Sequence, residues 1–399
     1  MKFFHISDLH IGKQLFGYNL AEDQAHILSL ILDALKEEKP DALLITGDVY
    51  DKPVPSGEAV EMFDRFLTQI TEVCPQMPVM IIAGNHDAAK RIDYAGEILR
   101  RHNIHIVGTP PHESQEHIRR VTVSDEHGET EFYLLPFFKP SHVRGLFTEE
   151  ENESYVNYAK QNGVSEYEVY FEKLLEREQI DAKKRNVLLS HQFFLPASGG
   201  EIERTESEVI TVGTIDHISS RMLEPFVYAA LGHIHRPQKC QKAFYRYCGT
   251  PMPYSVSEEK DEKSITVVTL REAGTEAVVE TIPLKPLRKV KRLKGTIAEL
   301  IASANGEVCD DYVSLVVTDD DPGRYVREQL GAHYAHILEI RFDNKMMRSM
   351  LEDMAGEGLC DDYMEMFQNF YEMRNGETMS DEVSALFEQL LNDAKGGDE

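Results

Sequence analysis

Short apolar runs alternate with helically spaced segments through the first half of the chain. Residues 2–6 (KFFHI), 42–46 (ALLIT) and 79–83 (VMIIA) are compact apolar runs. Between them, residues 22–38 place Ile27, Leu30, Ile31, Ala34 and Leu35 on one helical face and stop before Pro40. Residues 58–71 form a second helical segment. Strands separated by helices predict parallel pairing in an α/β sheet. Further strands are predicted at 104–107, 132–135, 187–190, 228–231 and 265–270. The strongly acidic stretch 149–178 predicts solvated helices, and there are no internal repeats.

The pattern changes near Pro283. Residues 285–294 hold six basic side chains and no acidic one, which suggests a linker into a second, small α+β unit with a strand at 311–318 and a helix at 323–330. Residues 341–399 carry 15 acidic and 5 basic residues and eight of the 14 methionines. Apolar positions recur there at helical spacing, as in Met347-Met350-Leu351-Met354, Tyr363-Phe367-Phe370 and Val383-Leu386-Phe387-Leu390. Spacing alone favours packing on the chain's own core, while a Met-rich face also suits adaptable contact with a partner. The expected divisions are 1–284, 285–342 and 343–399.

Composition narrows the class. The 399 residues are 42% hydrophobic, enough for a sizeable core, and carry a formal charge of −27. Such a charge argues against a general polyanion binder. The five cysteines are odd in number and contain no CxxC pair, so neither a disulfide framework nor a zinc knuckle is expected. The start lacks the apolar segment of a signal peptide, and no apolar run approaches the ~18 residues that span a bilayer. A soluble cytoplasmic protein without membrane contact is expected.

Metal-ligating residues concentrate immediately after five apolar strands. The segments are Asp8-Leu9-His10, Gly47-Asp48-Val49, Gly84-Asn85-His86-Asp87, Ser190-His191-Gln192 and Gly232-His233-Ile234-His235. In α/β sheets, functional groups collect at the carboxyl ends of strands, so five such ends can share one crevice. On an extended segment, residues two apart project to the same side, which would let Asp8 with His10, and His233 with His235, reach one centre. Gly47, Gly84 and Gly232 permit tight turns. A lone D-x-H is noise, and 11 of the 16 histidines fall outside this set. Five motifs in order, each following a strand, are a different matter. The donors are the carboxylates of Asp8 and Asp48, the amide oxygen of Asn85, and the imidazoles of His10, His191, His233 and His235. This oxygen and nitrogen set suits Mn²⁺, Fe, Zn or Mg²⁺. Seven ligands exceed one ion. With one bridging carboxylate they give two ions four ligands each, and two metals ~3.5–4 Å apart clamp a phosphoryl displacement.

The order D-x-H, G-D, G-N-H-D, H, G-H-x-H resembles the calcineurin-like metallophosphoesterases. The flanking text HISDLHIGK, LLITGDVYDKPVPS, IAGNHD, LLSHQFF, VGTIDHI, ALGHIHRPQ and YCGTPMPYSVSE is similar to the SbcD type of bacterial nuclease subunit. The likeness is strong over roughly residues 1–280 and looser beyond. It implies a β-sandwich flanked by helices, with a small α+β capping domain and C-terminal helices. One metal would be held by Asp8, His10, Asp48 and His235, the other by Asp48, Asn85, His191 and His233, with Mn²⁺ favoured over Mg²⁺ or Fe²⁺. His86 would be the acid–base residue, with Asp87 orienting its ring. The resemblance further implies a two-metal DNA exonuclease and endonuclease acting in repair and recombination. Its implied partners are DNA, an SbcC-type SMC-like ATPase docked on the C-terminal helices, and a second copy of the chain in a heterotetramer at the nucleoid.

Two other readings are set against this one: a phosphodiesterase for non-DNA substrates on the same fold, and a catalytically dead scaffold. The basic run and Met-rich tail argue against the first, and the intact ligand set with His86 against the second. For DNA contact the residues singled out are Lys13, Tyr18, Lys52, Arg91 and Arg236, beside the metal motifs. The basic stretch 285–294 either follows the DNA backbone or pairs with acidic groups of the same chain.

Overall fold

The computed structural model describes residues 1–208, 217–304, 306–323 and 325–344, together with Met364, Phe367, Gln368, Tyr371, 378–380 and 383–388. Residues 212–216 of the VGTIDHI motif, and most of the expected helical tail, lie outside the described residues.

Two six-stranded sheets form the frame. The first has the order Val278–Pro283, Ser264–Thr269, Lys2–Ile6, Ala42–Thr46, Val79–Ile82, Ile104–Val107. Its last four strands run parallel, and Ser264–Thr269 joins Lys2–Ile6 antiparallel. The second has the order Gln238–Cys240, Lys242–Tyr247, Tyr228–Leu231, Arg185–Ser190, Gly128–Leu135, Arg119–Asp125, parallel except at its two edges.

Alternation along each strand explains the layering. Phe3, Ala42 and Leu44 of the first sheet share an interior cluster with Phe132, Leu134, Val187, Leu189, Tyr228 and Ala230 of the second. The residues between them face outward: Phe4, Ile6, Leu43 and Ile45 pack on Ile27, Ile31, Phe66 and Ile70 of the helices Ala21–Glu38 and Gly57–Val73. On the other side, Leu188, Ala229 and Leu231 pack on Tyr170, Phe171 and Leu174 of Glu166–Glu178. Strands buried on both faces therefore read as unbroken apolar runs. The acidic stretch behaves in two ways. Helix Glu149–Asn162 buries only Ala159, as expected of a solvated helix, whereas Glu166–Glu178 supplies part of a core.

The described chain divides into two compact units. One comprises Met1–Leu293, Glu307–Ser314 and Gly331–Glu339; the other comprises Lys294–Gly306, Leu315–Leu330 and Ile340–Glu399. The stretch 285–342 thus contributes to both. It contains strands Val290–Gly295, Cys309–Val317 and Tyr334–Phe342 and the helices Ile297–Ser303 and Val326–Gly331. The basic run is not a linker. Part of it is a strand, and three of its six cations are paired: Arg288 with Glu22, Asp23 and Asp310, Lys291 with Asp311, and Lys294 with Asp343. Within the tail, Met364, Phe367, Gln368, Tyr371 and 383–388 are helical, and the Phe367 and Phe387 rings stack with centroids 3.8 Å apart.

Candidate metal centre

The five motifs follow Lys2–Ile6, Ala42–Thr46 and Val79–Ile82 of one sheet and Arg185–Ser190 and Tyr228–Leu231 of the other. Beyond the first two strands the backbones stay paired: Asp8 N donates to Gly47 O at 3.0 Å, His10 N to Asp48 O at 2.9 Å, and Ile11 N to Val49 O at 2.9 Å. All three motif glycines are required by crowding, and a Cβ on Gly232 would strike the Thr46 carbonyl. Gly47 has φ +97°, and a Cβ there would strike the His191 ring; a Cβ on Gly84 would strike Asp48.

The D-x-H pair does converge, but not because it is extended. Asp8 (φ 52°), His10 (φ 43°), Asp48 (φ 48°) and His233 (φ 84°) all adopt left-handed backbone, which non-glycine residues rarely do. The expected side-by-side projection of His233 and His235 also fails. These two part company: His233 Nδ1 lies 2.9 Å from Asn85 Oδ1, while His235 Nε2 lies 3.2 Å from His10 Nε2 and 4.0 Å from Asp8 Oδ1.

All seven predicted donors meet in one place. Asp8, His10 and His235 cluster at one end. His191 Nε2 lies 3.2 Å from Asn85 Oδ1 at the other. Asp48 Oδ2 stands between the ends, 3.7 Å from His10 Nε2 and 3.3 Å from His191 Nε2. Asp8, His10 and His191 are fully buried and Asp48 nearly so.

The tautomers follow from the outer partners. His191 Nδ1 lies 2.6 Å from the Thr46 carbonyl, which can only accept, so Nδ1 carries a proton and Nε2 is the nitrogen that faces Asp48 and Asn85. His10 Nδ1 faces Asp51 Oδ1 at 3.5 Å, leaving its Nε2 opposite that of His235. Burial disfavours positive charge on His10, His233 and His235, and lowers all three. Burial would lower His191 too, but the Asp48 and Asp8 carboxylates hold it up at about 9. Burial raises Asp8 as well, against the pull of His191. The Nε2 atoms of His10 and His235 lie 3.2 Å apart on two rings that burial keeps neutral, and their lone pairs repel unless a cation lies between them, while the Asp48 and Asp8 carboxylates draw positive charge to the same place. The donor set therefore fits divalent metal ions, with hard oxygen and borderline nitrogen ligands and no thiolate.

His86 stands beside this group, its ring 4.9 Å from that of His10 between centroids. Its backbone N donates to Asp48 Oδ1 at 2.8 Å and its Nδ1 to the Asp51 carbonyl at 2.9 Å. Asp87 is not engaged with the His86 ring as expected, because its carboxylate is taken up by backbone N–H groups. The Asp87 carboxylate accepts from the backbone N–H groups of Val49, Tyr50 and Gly84, so it ties two motif loops together and does not orient the ring. The carbonyl of Asp51 takes that role.

Other supports carried no sequence signal of their own. Gln24, buried in the first helix, donates to the His10 carbonyl at 2.7 Å, and Tyr254 OH donates to the Leu9 carbonyl, so together they hold the D-x-H turn. Tyr254 does lie in the YCGTPMPYSVSE text, which marked the place without the role. Of the residues singled out for DNA, Lys52 and Arg91 are exposed. The others have partners within the chain: Lys13 with Asp51 at 2.8 Å, Tyr18 with the Ile337 carbonyl and the Tyr312 and His336 rings, and Arg236 with Glu203 and Asp261.

Comparison with known proteins places this geometry. Residues 1–237 match the calcineurin-like phosphoesterase family, and residues 284–375 match the type 5 capsule protein repressor C-terminal domain. The chain is 30% identical over 302 residues to the SbcD subunit of the SbcCD nuclease of Staphylococcus saprophyticus, covering 75% of this chain and 73% of that one. It is 29% identical over 304 residues to the same subunit from Staphylococcus epidermidis, covering 75% and 74%. Among solved structures, a dimetal phosphatase from Danio rerio matches 70% of this chain and 98% of its own, at 14% identity and a TM-score of 0.37. With the five motifs converging in one centre and its amino-terminal 237 residues matching throughout, the chain belongs to the calcineurin-like phosphoesterases and, among them, to the SbcD subunits of SbcCD nucleases.

Proposed function

We propose that the chain hydrolyses DNA phosphodiester bonds as the nuclease subunit of an SbcCD-type complex. Its reactions would be 3′–5′ exonuclease action on double strands and endonuclease action on single strands and hairpins during end processing. The observation that carries this reading is the Asp48 carboxylate standing between two ligand groups, with His86 alongside. Asp8, His10, Asp48 and His235 would hold one divalent ion, and Asp48, Asn85, His191 and His233 the other, with Mn²⁺ the favoured metal. Ions bound there supply Lewis acidity toward the phosphate and a lowered pKa for water. The chain's own contributions are position and a proton. Asp51 fixes the His86 ring through Nδ1, so Nε2 is the nitrogen that delivers a proton to the leaving 3′ oxygen. Asp87 and the Gly47 and Gly84 turns keep the motif loops in register.

Partners enter the proposal through the tail. Residues 343–399 would dock on an SMC-like ATPase of the SbcC type, the chain would pair with a second copy, and the assembly would act at the nucleoid. Among the described residues no helix is long and apolar enough to cross a membrane. A Mn²⁺-dependent cleavage assay on linear, plasmid and hairpin DNA tests the activity, with His86→Ala and Asp8→Ala expected to abolish it. Survival of all three DNAs while a simple aryl phosphodiester is cleaved would instead favour a non-DNA phosphodiesterase. Full co-purification with the ATPase after removal of 341–399 would overturn the docking role.

A further inference from the structure

His235 is held by a polar network that draws Thr250, Ser255 and Glu258 from the YCGTPMPYSVSE text, which marked the place without the role. Glu258 and Lys263 form an ion pair at 2.7 Å with side chains 0% and 1% exposed. Burial alone would raise the Glu258 carboxyl, but the Lys263 ammonium and the Ser207 and Ser255 hydroxyls together outweigh it and lower the group. An ionised carboxylate can only accept. Its Oε2 takes hydrogen bonds from Lys263 Nζ and Thr250 Oγ1, and its Oε1 from Ser255 Oγ at 2.8 Å and Ser207 Oγ at 2.7 Å.

The direction of the next bond then follows. Ser207 has one hydroxyl hydrogen, and the carboxylate is a stronger acceptor for it than the Thr205 hydroxyl 2.9 Å away. At its contact with His235 Nδ1, 2.7 Å long, Ser207 Oγ must therefore accept. Nδ1 carries the ring proton, and Nε2 is left bare where it meets His10 and Asp8. The main chain of His235 is caught by the same groups: its N–H donates to Glu208 Oε1 at 2.9 Å, and its carbonyl accepts from Lys263 Nζ at 2.9 Å.

We propose that Ser207 and Glu258 are positioning residues for His235, setting its tautomer so that the Nε2 lone pair is presented to a metal ion at the Asp8–His10 end. The inference rests on the two-metal reading above. Outer partners of this kind commonly govern metal affinity by about 10- to 100-fold. Here the carboxylate acts through an interposed hydroxyl rather than directly on the ring. Ser207 is half-exposed, so its substitution perturbs the network without opening the core.

Mn²⁺ titration of the full chain, read by electron paramagnetic resonance of the free ion, tests this. The wild type is expected to bind two ions. Ser207→Thr keeps the hydroxyl and should bind both with wild-type affinity. Ser207→Val has the shape of Thr without the hydroxyl and should lose about 10- to 100-fold at one site, with unchanged melting in metal-free buffer. Equal Mn²⁺ affinity in the wild type and Ser207→Val overturns the inference and leaves the two-metal reading standing. Equal losses in the Thr and Val variants also overturn it, since shape rather than the hydroxyl would then be at work. A wild type that binds no Mn²⁺ overturns both.

Discussion

Gly84→Ala adds one methyl group beside the carboxylate that stands between the two ligand groups. The new Cβ would lie 2.7 Å from Asp48 Cγ and closer still to its Oδ1 and backbone N, where ordinary contact begins near 3.4 Å. Clearing Cγ alone takes 3.4 less 2.7, and the nearer Oδ1 and backbone N demand more, so Asp48 and residue 84 must separate by at least about 0.7 Å. Neither side yields easily: Asp48 is buried, its carbonyl is bonded to His10 N, and Gly84 N is bonded to Asp87. A misplacement of about 1 Å at a reacting centre costs on the order of 100-fold in rate, so kcat should fall about 10- to 100-fold. Overpacking should also cost about 1–3 kcal/mol of stability. The assay is Mn²⁺-dependent cleavage of a labelled duplex, with urea unfolding in parallel. Gly57→Ala, at the start of a helix with open space around its Cβ, is the control and should leave activity unchanged. Activity of Gly84→Ala within twofold of wild type would refute the argument that contact with Asp48 fixes the centre.

Three further outcomes are expected. Arg288→Ala should destabilise the protein by about 3 kcal/mol, because it strands the buried Asp23 carboxylate; the exposed Glu22 and Asp310 pairs add little. Its salt-dependent DNA affinity should stay at the wild-type value, and a fall in affinity without a fall in urea midpoint would restore a DNA-tracking role. Asp125 is held well below the usual carboxylate range, chiefly by Arg185, so the native state binds fewer protons there than the unfolded chain. Its contribution is complete above the ordinary Asp value near ~3.9 and is lost as pH falls through the native value. Between pH 5 and 2, wild type should therefore lose stability more steeply than Asp125→Asn in urea titrations. Lys52→Ala and Arg91→Ala should each reduce the salt slope of DNA binding by about 1, and unchanged slopes would remove both from the interface.

Much of the frame was legible because its central strands are buried on both faces and read as apolar runs. ALLIT and YAAL are continuous strands in the structure. Three outer strands escaped for the converse reason. Arg119–Asp125 is mostly polar, Val278–Pro283 is largely exposed, and Val290–Gly295 hid inside a basic run that looked like a linker. The seven candidate donors were picked out by residue type and by their place after strands, and the structure brings them together. The local reason for the D-x-H pair was not legible, since left-handed backbone at Asp8 and His10 is imposed by pairing with the 47–49 loop, far off in sequence. The Asp51 carbonyl that steadies His86, and Gln24 beneath the D-x-H turn, leave no pattern in a single sequence, because each acts through hydrogen bonds to groups remote along the chain.

The antiparallel seam between Lys2–Ile6 and Ser264–Thr269 sets a timetable. The strand that carries Asp8 and His10 waits for a neighbour more than 250 residues downstream, and the Leu9 turn waits for Tyr254. His233 and His235 arrive almost as late. A chain emerging from the ribosome therefore cannot assemble a competent centre until nearly all of the first 270 residues are out. Contacts this distant also make folding slow. An enzyme that cuts DNA is thereby kept inert for as long as it is unfinished.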